Sequence, residues 1–243
     1  MFLLSNMWER ILNWIFVRRC VGCGCIVEPD NPLALCRDCA VRLQTCGQSI
    51  PGNRFYVQAV SAIPYEGATC NAMQRFKFHN QRYLGSTFAA LLYRHVKPMP
   101  FLLKIDVVAC VPMHPNRKRY YNQSAVIAKE FARLAGLPFA EHMLIKERDL
   151  PPLSKMGRQE RLRSVRGAFL ANNGAGAYPI YGKVIALIDD IYTSGATTGE
   201  CAKVLMLNGA AGVFILTPCY AVMDKNYHTR MIKTVNTSRE SRN

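Results

Sequence analysis

The sequence predicts an α/β fold built on a mainly parallel sheet, and three stretches predict it. Val184–Ile188 is an apolar run that ends at Asp189 and Asp190, and a hydroxyl- and glycine-rich turn follows, then a helical stretch over 198–207. A second apolar run, 105–111, ends at Pro112 and leads through a charged loop into a helical pattern that reaches Ala135. A third run, 213–218, completes a strand-helix-strand unit over 182–218, for which a right-handed crossover is expected. Unbroken apolar runs, rather than alternating ones, suit strands covered on both faces.

In chain order, Trp8, Ile11, Leu12, Ile15 and Phe16 recur at helical spacing, so residues 1–16 read as an amphipathic helix. That stripe either docks on the protein's own core or, with Arg10, Arg18 and Arg19 beside it, lies on a membrane surface; the first asks less of the sequence. Glu9 in its middle and the lack of a basic leader argue against a secretion signal. No run of about eighteen apolar residues predicts a transmembrane helix. The expected location is the cytoplasm, with peripheral contact at the inner membrane as the second option.

Ten cysteines are present, and Cys20, Cys23, Cys25, Cys36, Cys39 and Cys46 fall in the first fifth of the chain. Clustered pairs without a secretion signal read as metal ligands rather than disulfides. Cys20-Val-Gly-Cys23 and Cys36-Arg-Asp-Cys39 form two CxxC knuckles, and four thiolates complete a tetrahedral shell for a structural zinc ion. A closed shell leaves no open position for catalysis, and the segment is too short to make a core of its own. Cys25 and Cys46 are left over as spares. Cys70, Cys110, Cys201 and Cys219 are scattered in apolar stretches and read as buried thiols.

Gly47, Pro51 and Gly52 make 47–54 read as a linker, and 55–65 has strand character. The expected division is therefore an N-terminal helix and four-cysteine module over 1–50, a main domain over 55–222, and a basic, disordered tail over 223–243. From Gly67 to Ile105 there is no acid, yet Arg75, Lys77, Arg82, Arg94, Lys97 and Lys104 occur. Phe76-Lys77-Phe78-His79 interleaves rings and charge, a pattern suited to single-stranded nucleic acid, where Arg75 and Lys77 pair phosphates and Phe76 and Phe78 stack bases. Equally open is that the rings are core and Lys77 is solvated. Residues 83–96 read as a helix with one buried face. Asn122 is placed to cap the helix that runs to Ala135. Seven basic residues against three acids mark 146–169, where Pro151, Pro152 and Gly157 oppose a continuous helix.

The acid pair and its turn carry the most chemistry. Gly195 allows the backbone to curl closely round a ligand, and the first amides of the following helix attract an anion. Thr193, Ser194, Ala196, Thr197 and Thr198 complete that cup. Asp189 and Asp190 repel a phosphate but suit neighbouring hydroxyls, or a metal bridging to them. Paired hydroxyls beside a phosphate describe a ribose 5-phosphate. The formal charge of +15 over 243 residues independently favours polyanionic partners: nucleic acid, anionic lipid or phosphorylated small molecules.

Residues 185–197 resemble, position by position, the phosphoribosyl pyrophosphate (PRPP) motif of type I phosphoribosyltransferases. Most of the chain, from Cys20 to about Pro218, resembles one branch of them, the ComF competence proteins, whose four-cysteine module precedes the transferase domain. Arg119-Tyr-Tyr-Asn122-Gln123 resembles the RGFNQ signature of that branch, with Tyr120 in place of glycine. Residues 146–169 resemble the hood loop that closes over the site, with Leu153 in place of glutamine and Ser164 in place of asparagine. The resemblance implies a type I phosphoribosyltransferase fold: a central, mainly parallel sheet, helices on both faces, a flexible hood and the zinc module. It implies that the 193–198 turn holds the 5-phosphate, that Asp189 and Asp190 hold the ribose hydroxyls, and that Mg²⁺ bridges to the pyrophosphate. Arg119 and Asn122 would serve the pyrophosphate, and Asp190 is the candidate general base.

Two function classes follow. One is a protein of natural transformation that binds PRPP or a related phosphoribosyl ligand and single-stranded DNA, with DNA-uptake or recombination proteins as partners. The other is a nucleotide-salvage phosphoribosyltransferase acting on a base or amine, with a purely structural zinc module. The first fits more of the sequence, because acceptor signatures for a purine or pyrimidine are not evident.

Overall fold

The computed structural model describes residues 19–28, 31, 33–43, 46–116, 120–149 and 158–221. The expected helix over 1–16, the tail over 223–243, Arg119 and Leu153 lie outside them. The secondary structure comprises α1 (Arg37–Arg42), β1 (Gln48–Asn53), β2 (Tyr56–Pro64), α2 (Gly67–Phe78), α3 (Leu84–Val96), β3 (Val107–Cys110), α4 (Gln123–Ala135), β4 (Phe139–Ala140), β5 (Leu144–Lys146), α5 (Arg158–Val165), β6 (Phe169–Ala171), β7 (Val184–Ile188), β8 (Ile191–Tyr192), α6 (Ala196–Leu207) and β9 (Gly212–Tyr220). A short 3₁₀ turn, Pro100–Lys104, precedes β3.

The central sheet runs β1-β2-β9-β7-β3-β4, with β8 also on β9. Only the β1–β2 pair is antiparallel. The expected mainly parallel sheet with helices on both faces is therefore what the chain adopts. Because side chains alternate across a strand, β7 sends Ile185 and Leu187 to one face and Ala186 and Ile188 to the other. The first face is covered by Cys201, Ala202 and Leu205 of α6, with Val165 and Phe169 of the hood beside them. The second is covered by Phe76, Phe88, Leu92, Ile127 and Phe131 of α2, α3 and α4.

The expectation of a linker over 47–54 is corrected: Gln48–Asn53 is the edge strand β1, paired with β2 from Gln48 against Ser61 to Asn53 against Tyr56. Pro51 is tolerated there because an edge strand leaves its outer side unpaired. A side chain at Gly52 would lie 1.9 Å from the Tyr56 carbonyl oxygen, so the hairpin closes only over glycine. Residues 67–78, read from sequence as a charged segment without assigned structure, form α2. The β5–β6 hairpin, with Leu144 opposite Ala171 and Lys146 opposite Phe169, brackets the segment that the sequence reading takes as a hood.

The cysteine module packs on the α2–α4 face, where Cys20, Val21, Leu35, Cys39 and Leu43 join the same buried cluster as Phe88 and Leu92. Three polar contacts fix it there. Thr69 Oγ1 donates to the Val21 carbonyl at 3.3 Å, Arg94 donates to Ala40 at 3.1 Å, and Tyr220 donates to Cys46 at 2.8 Å. Among the described residues, no helix is long and apolar enough to cross a membrane.

Candidate functional site

Topology decides where a ligand goes. From β7 the chain crosses by α6 to β9 on one face; from β3 it crosses by α4 to β4 on the other face. The connections diverge at the β7–β3 boundary, and a crevice opens beyond the carboxyl ends of those two strands, as it does in open α/β sheets generally. Asp189 and Asp190 stand at that point. The cleft is lined by Val111, Pro112 and Met113 after β3, Asn122, Gln123 and Ser124 at the start of α4, Lys146 of the hood, and both aspartates.

The two carboxylates have different partners. Asp189 Oδ1 accepts from Ser124 Oγ at 2.8 Å and from the Asp190 amide at 2.9 Å. Burial, reinforced by the neighbouring Asp190 charge, pushes the Asp189 carboxyl up to about 7, against the opposing pull of the Ser124 hydrogen bond. Asp190 Oδ2 pairs with Lys77 Nζ at 2.8 Å, both side chains being 14 % exposed. The raised proton affinity is a property of Asp189, whereas the sequence points to its neighbour as the candidate base. Buried thiols of Cys110, Cys201 and Cys219 surround the pair, and burial keeps all three protonated. Cys70, also expected to be buried, is only half-buried.

Beyond Asp190, Gly195 sits at φ 71° and starts α6 without a side-chain cap. The first amides of a helix have no internal acceptor, so this end, five residues after Asp190, has the donors that an anion needs. A Cβ on Gly195 would lie 2.5 Å from the Tyr192 hydroxyl, so two requirements select glycine. Ser194 Oγ is buried with no hydrogen-bond partner, an orphan polar atom in that turn. Thr193 and Thr197 are half-buried on the same turn. Thr198 departs from expectation: it is 2 % exposed and its hydroxyl donates to the Gly195 carbonyl at 3.4 Å, so its side chain closes the turn from within. Asn122 caps α4 by accepting from the Ser124 amide at 3.1 Å and donates to the Val111 carbonyl at 3.1 Å. Its amide shapes the loop and is already spent on protein.

The nucleic-acid expectation needs correcting at Phe76. That ring is fully buried, 5.8 Å from Phe88 and 5.5 Å from Tyr121 between ring centres, so it packs the core and cannot stack a base. Phe78, two residues on, is 57 % exposed. Arg75 is half-buried with its Nε unpartnered, and Lys77 is paired with Asp190. Sequence reasoning missed Ser124 and Gln123 as cleft residues, although they adjoin the Asn122 cap, and it placed Lys77 elsewhere. Lys146, the first residue of the expected hood, also lies over the Phe169 ring, 5.7 Å from its centre.

The ligand atoms of Cys20, Cys23, Cys36 and Cys39 all lie within 4.8 Å of one another, a group that can hold a metal ion such as zinc. Cys36 Sγ lies 3.7 Å from both Cys20 and Cys23. Cys25 is exposed beside them, and Cys46 donates to the Arg42 carbonyl at 3.2 Å.

No protein-family model matches the chain. Competence protein F of Haemophilus influenzae is 25 % identical over 195 residues, 76 % of this chain and 83 % of that one. The chain is thus similar to competence protein F over most of the length of both. DNA utilization protein YhgH of Escherichia coli is 22 % identical over 209 residues, 82 % of this chain and 89 % of that one. Competence protein ComFC of Streptococcus pneumoniae is 29 % identical over 149 residues, 61 % and 62 % of the two chains. A solved phosphoribosylpyrophosphate synthetase from Mycobacterium smegmatis overlays on it with a TM-score of 0.37 at 17 % identity, covering 59 % of this chain and 36 % of that one.

Proposed function

We propose that this protein, like the competence proteins it is similar to, acts in the uptake or use of DNA, and that it binds phosphoribosyl pyrophosphate in the β7–β3 crevice. The observation that carries the donor site is one continuous arrangement: an acid pair at the sheet's switch point, followed by an uncapped helix whose turn holds an orphan Ser194 hydroxyl. The turn over 193–198 takes the 5-phosphate through backbone amides and the Thr193, Ser194 and Thr197 hydroxyls. Asp189 and Asp190 take the ribose hydroxyls. The same oxygen-rich pair fits Mg²⁺, which prefers carboxylate together with substrate phosphate; bound there, it would supply charge to the pyrophosphate. Arg119, which lies outside the described residues, is the proposed cation for the pyrophosphate.

The DNA role is supported by the names of the similar proteins and by the charge of +15. Single-stranded DNA is the proposed partner, with Phe78 and Arg75 as its contacts. The four-cysteine module over 1–50 carries a structural zinc ion and the domain from 55 to 222 carries the nucleotide chemistry. Isothermal calorimetry with phosphoribosyl pyrophosphate and Mg²⁺ tests the donor site. Binding by the wild type and its loss in the Asp189→Ala, Asp190→Ala double variant, which still folds by its cooperative melting curve, is the expected result. Equal affinity in both proteins refutes it.

A further inference from the structure

We propose that Lys77 is the diphosphate-sensing residue of the donor site: it neutralises Asp190 while the cleft is empty and transfers to the ligand's diphosphate on binding. This rests on the donor-site reading above. The Nζ–Oδ2 distance of 2.8 Å and the 14 % exposure of both side chains place the ammonium against a carboxylate that lines the crevice, and largely out of solvent.

The backbone behind Lys77 is fastened to the loop that leads into α4. The Tyr121 hydroxyl donates to the Phe76 carbonyl, and Gln123 Nε2 donates to the Lys77 carbonyl at 3.4 Å. The Cα end of Lys77 is therefore fixed beside the residues that form the β3 side of the cleft, while its four-carbon stem stays free to move the charge. A ribose hydroxyl donating to Asp190 replaces the hydrogen bond that the ammonium makes in the free protein. The released ammonium then has the diphosphate within the same cleft as its nearest uncompensated anion. A compact charge on a flexible stem suits that exchange better than a planar guanidinium does. The arrangement also explains why an acid pair and an anion site coexist: in the empty cleft Lys77 keeps Asp190 from repelling the incoming phosphates.

The test compares two probes, phosphoribosyl pyrophosphate and ribose 5-phosphate, each titrated with Mg²⁺ into wild type and Lys77→Gln. The expected result is that the substitution lowers phosphoribosyl pyrophosphate affinity by about tenfold or more, the scale of one charge-assisted hydrogen bond, and narrows the gap between the two probes. Lys77→Arg is expected to recover part of that gap. A third titration, with Mn²⁺ alone, should show tighter binding to Lys77→Gln, because Asp190 has lost its internal cation. An unchanged ratio between the two probes overturns the inference while leaving the donor site intact. Wild-type protein that binds neither probe overturns the donor site itself. Melting curves accompany each variant; if Lys77→Gln does not fold, Lys77→Met, which keeps most of the aliphatic stem, is read in the same way.

Discussion

Ser124 Oγ donates to Asp189 Oδ1 at 2.8 Å across 65 positions of sequence. The bond ties the start of α4 to the end of β7, the two elements that border the switch point. Asn122 accepts from the Ser124 amide at 3.1 Å and so holds that residue in place from its other side. One helix cap therefore sets the orientation of the carboxylate that ends the central strand.

The pH dependence of Asp189 follows from its surroundings. An ordinary carboxyl ionises near 4, whereas burial and Asp190 push this one up to about 7. The folded protein thus holds a proton that the unfolded chain has released. The stability contributed by that proton is complete below the unfolded value and is lost as pH rises through about 7. Asp189→Asn should then melt higher than wild type at pH 8, with the difference shrinking towards pH 4. Thermal melts across that range check it, and a constant difference would contradict the raised carboxyl.

Ser124→Ala removes a bond that stabilises the ionised carboxylate. The Asp189 carboxyl should move further up, and donor binding should shift its pH dependence upward with it. Calorimetry at a series of pH values reads that shift. A loss of affinity that is uniform with pH would instead mean that Ser124 acts on shape alone.

Gly195→Ala combines two penalties. A left-handed backbone costs a residue with a Cβ about 1–2 kcal/mol, and the new methyl would sit 2.5 Å from the Tyr192 hydroxyl. The variant should lose at least that much stability in denaturant unfolding and lose affinity for ribose 5-phosphate as the turn opens. Pairing it with Tyr192→Phe removes the hydroxyl but leaves the φ penalty, so only partial recovery is expected.

Zinc should be present at about one ion per chain and should stabilise more than its own knuckles, because Cys20, Val21, Leu35, Cys39 and Leu43 share a core with α3. Cys36→Ser with Cys39→Ser should remove the ion and lower the main thermal transition. Elemental analysis beside the melting curve checks both. Full metal content in the double variant would reject these ligands.

What could be read from sequence was local. Val184–Ile188, the acids and the turn after them are consecutive, so spacing alone placed strand, carboxylates and helix start in order. The CxxC knuckles are local in the same sense. Other features depend on folding. Lys77 and Asp190 meet only because α2 packs on the face of the sheet, and Ser124 meets Asp189 only because β3 lies beside β7. The β1 strand was hidden by Pro51 and Gly52, which read as linker residues until an edge position and a tight hairpin give each a reason. Phe76 and Phe78 look alike in sequence, yet helix geometry sends one to the core and the other to solvent.

That last pair separates stability from DNA binding. Phe76→Ala deletes a fully buried ring and should cost about 3–5 kcal/mol of stability, with any loss of DNA binding following from unfolding. Phe78→Ala removes a ring that is 57 % exposed and should leave the melting curve nearly unchanged. If single strands stack on Phe78, that variant should lose about 1–3 kcal/mol of binding. The slope of affinity against salt should stay as in wild type, because no phosphate contact has been removed. Replacing Arg75 by Gln should instead flatten the slope by about one counterion's worth. Filter binding over a salt series distinguishes the two. Identical affinities for wild type and Phe78→Ala at every salt concentration would move the DNA surface away from α2.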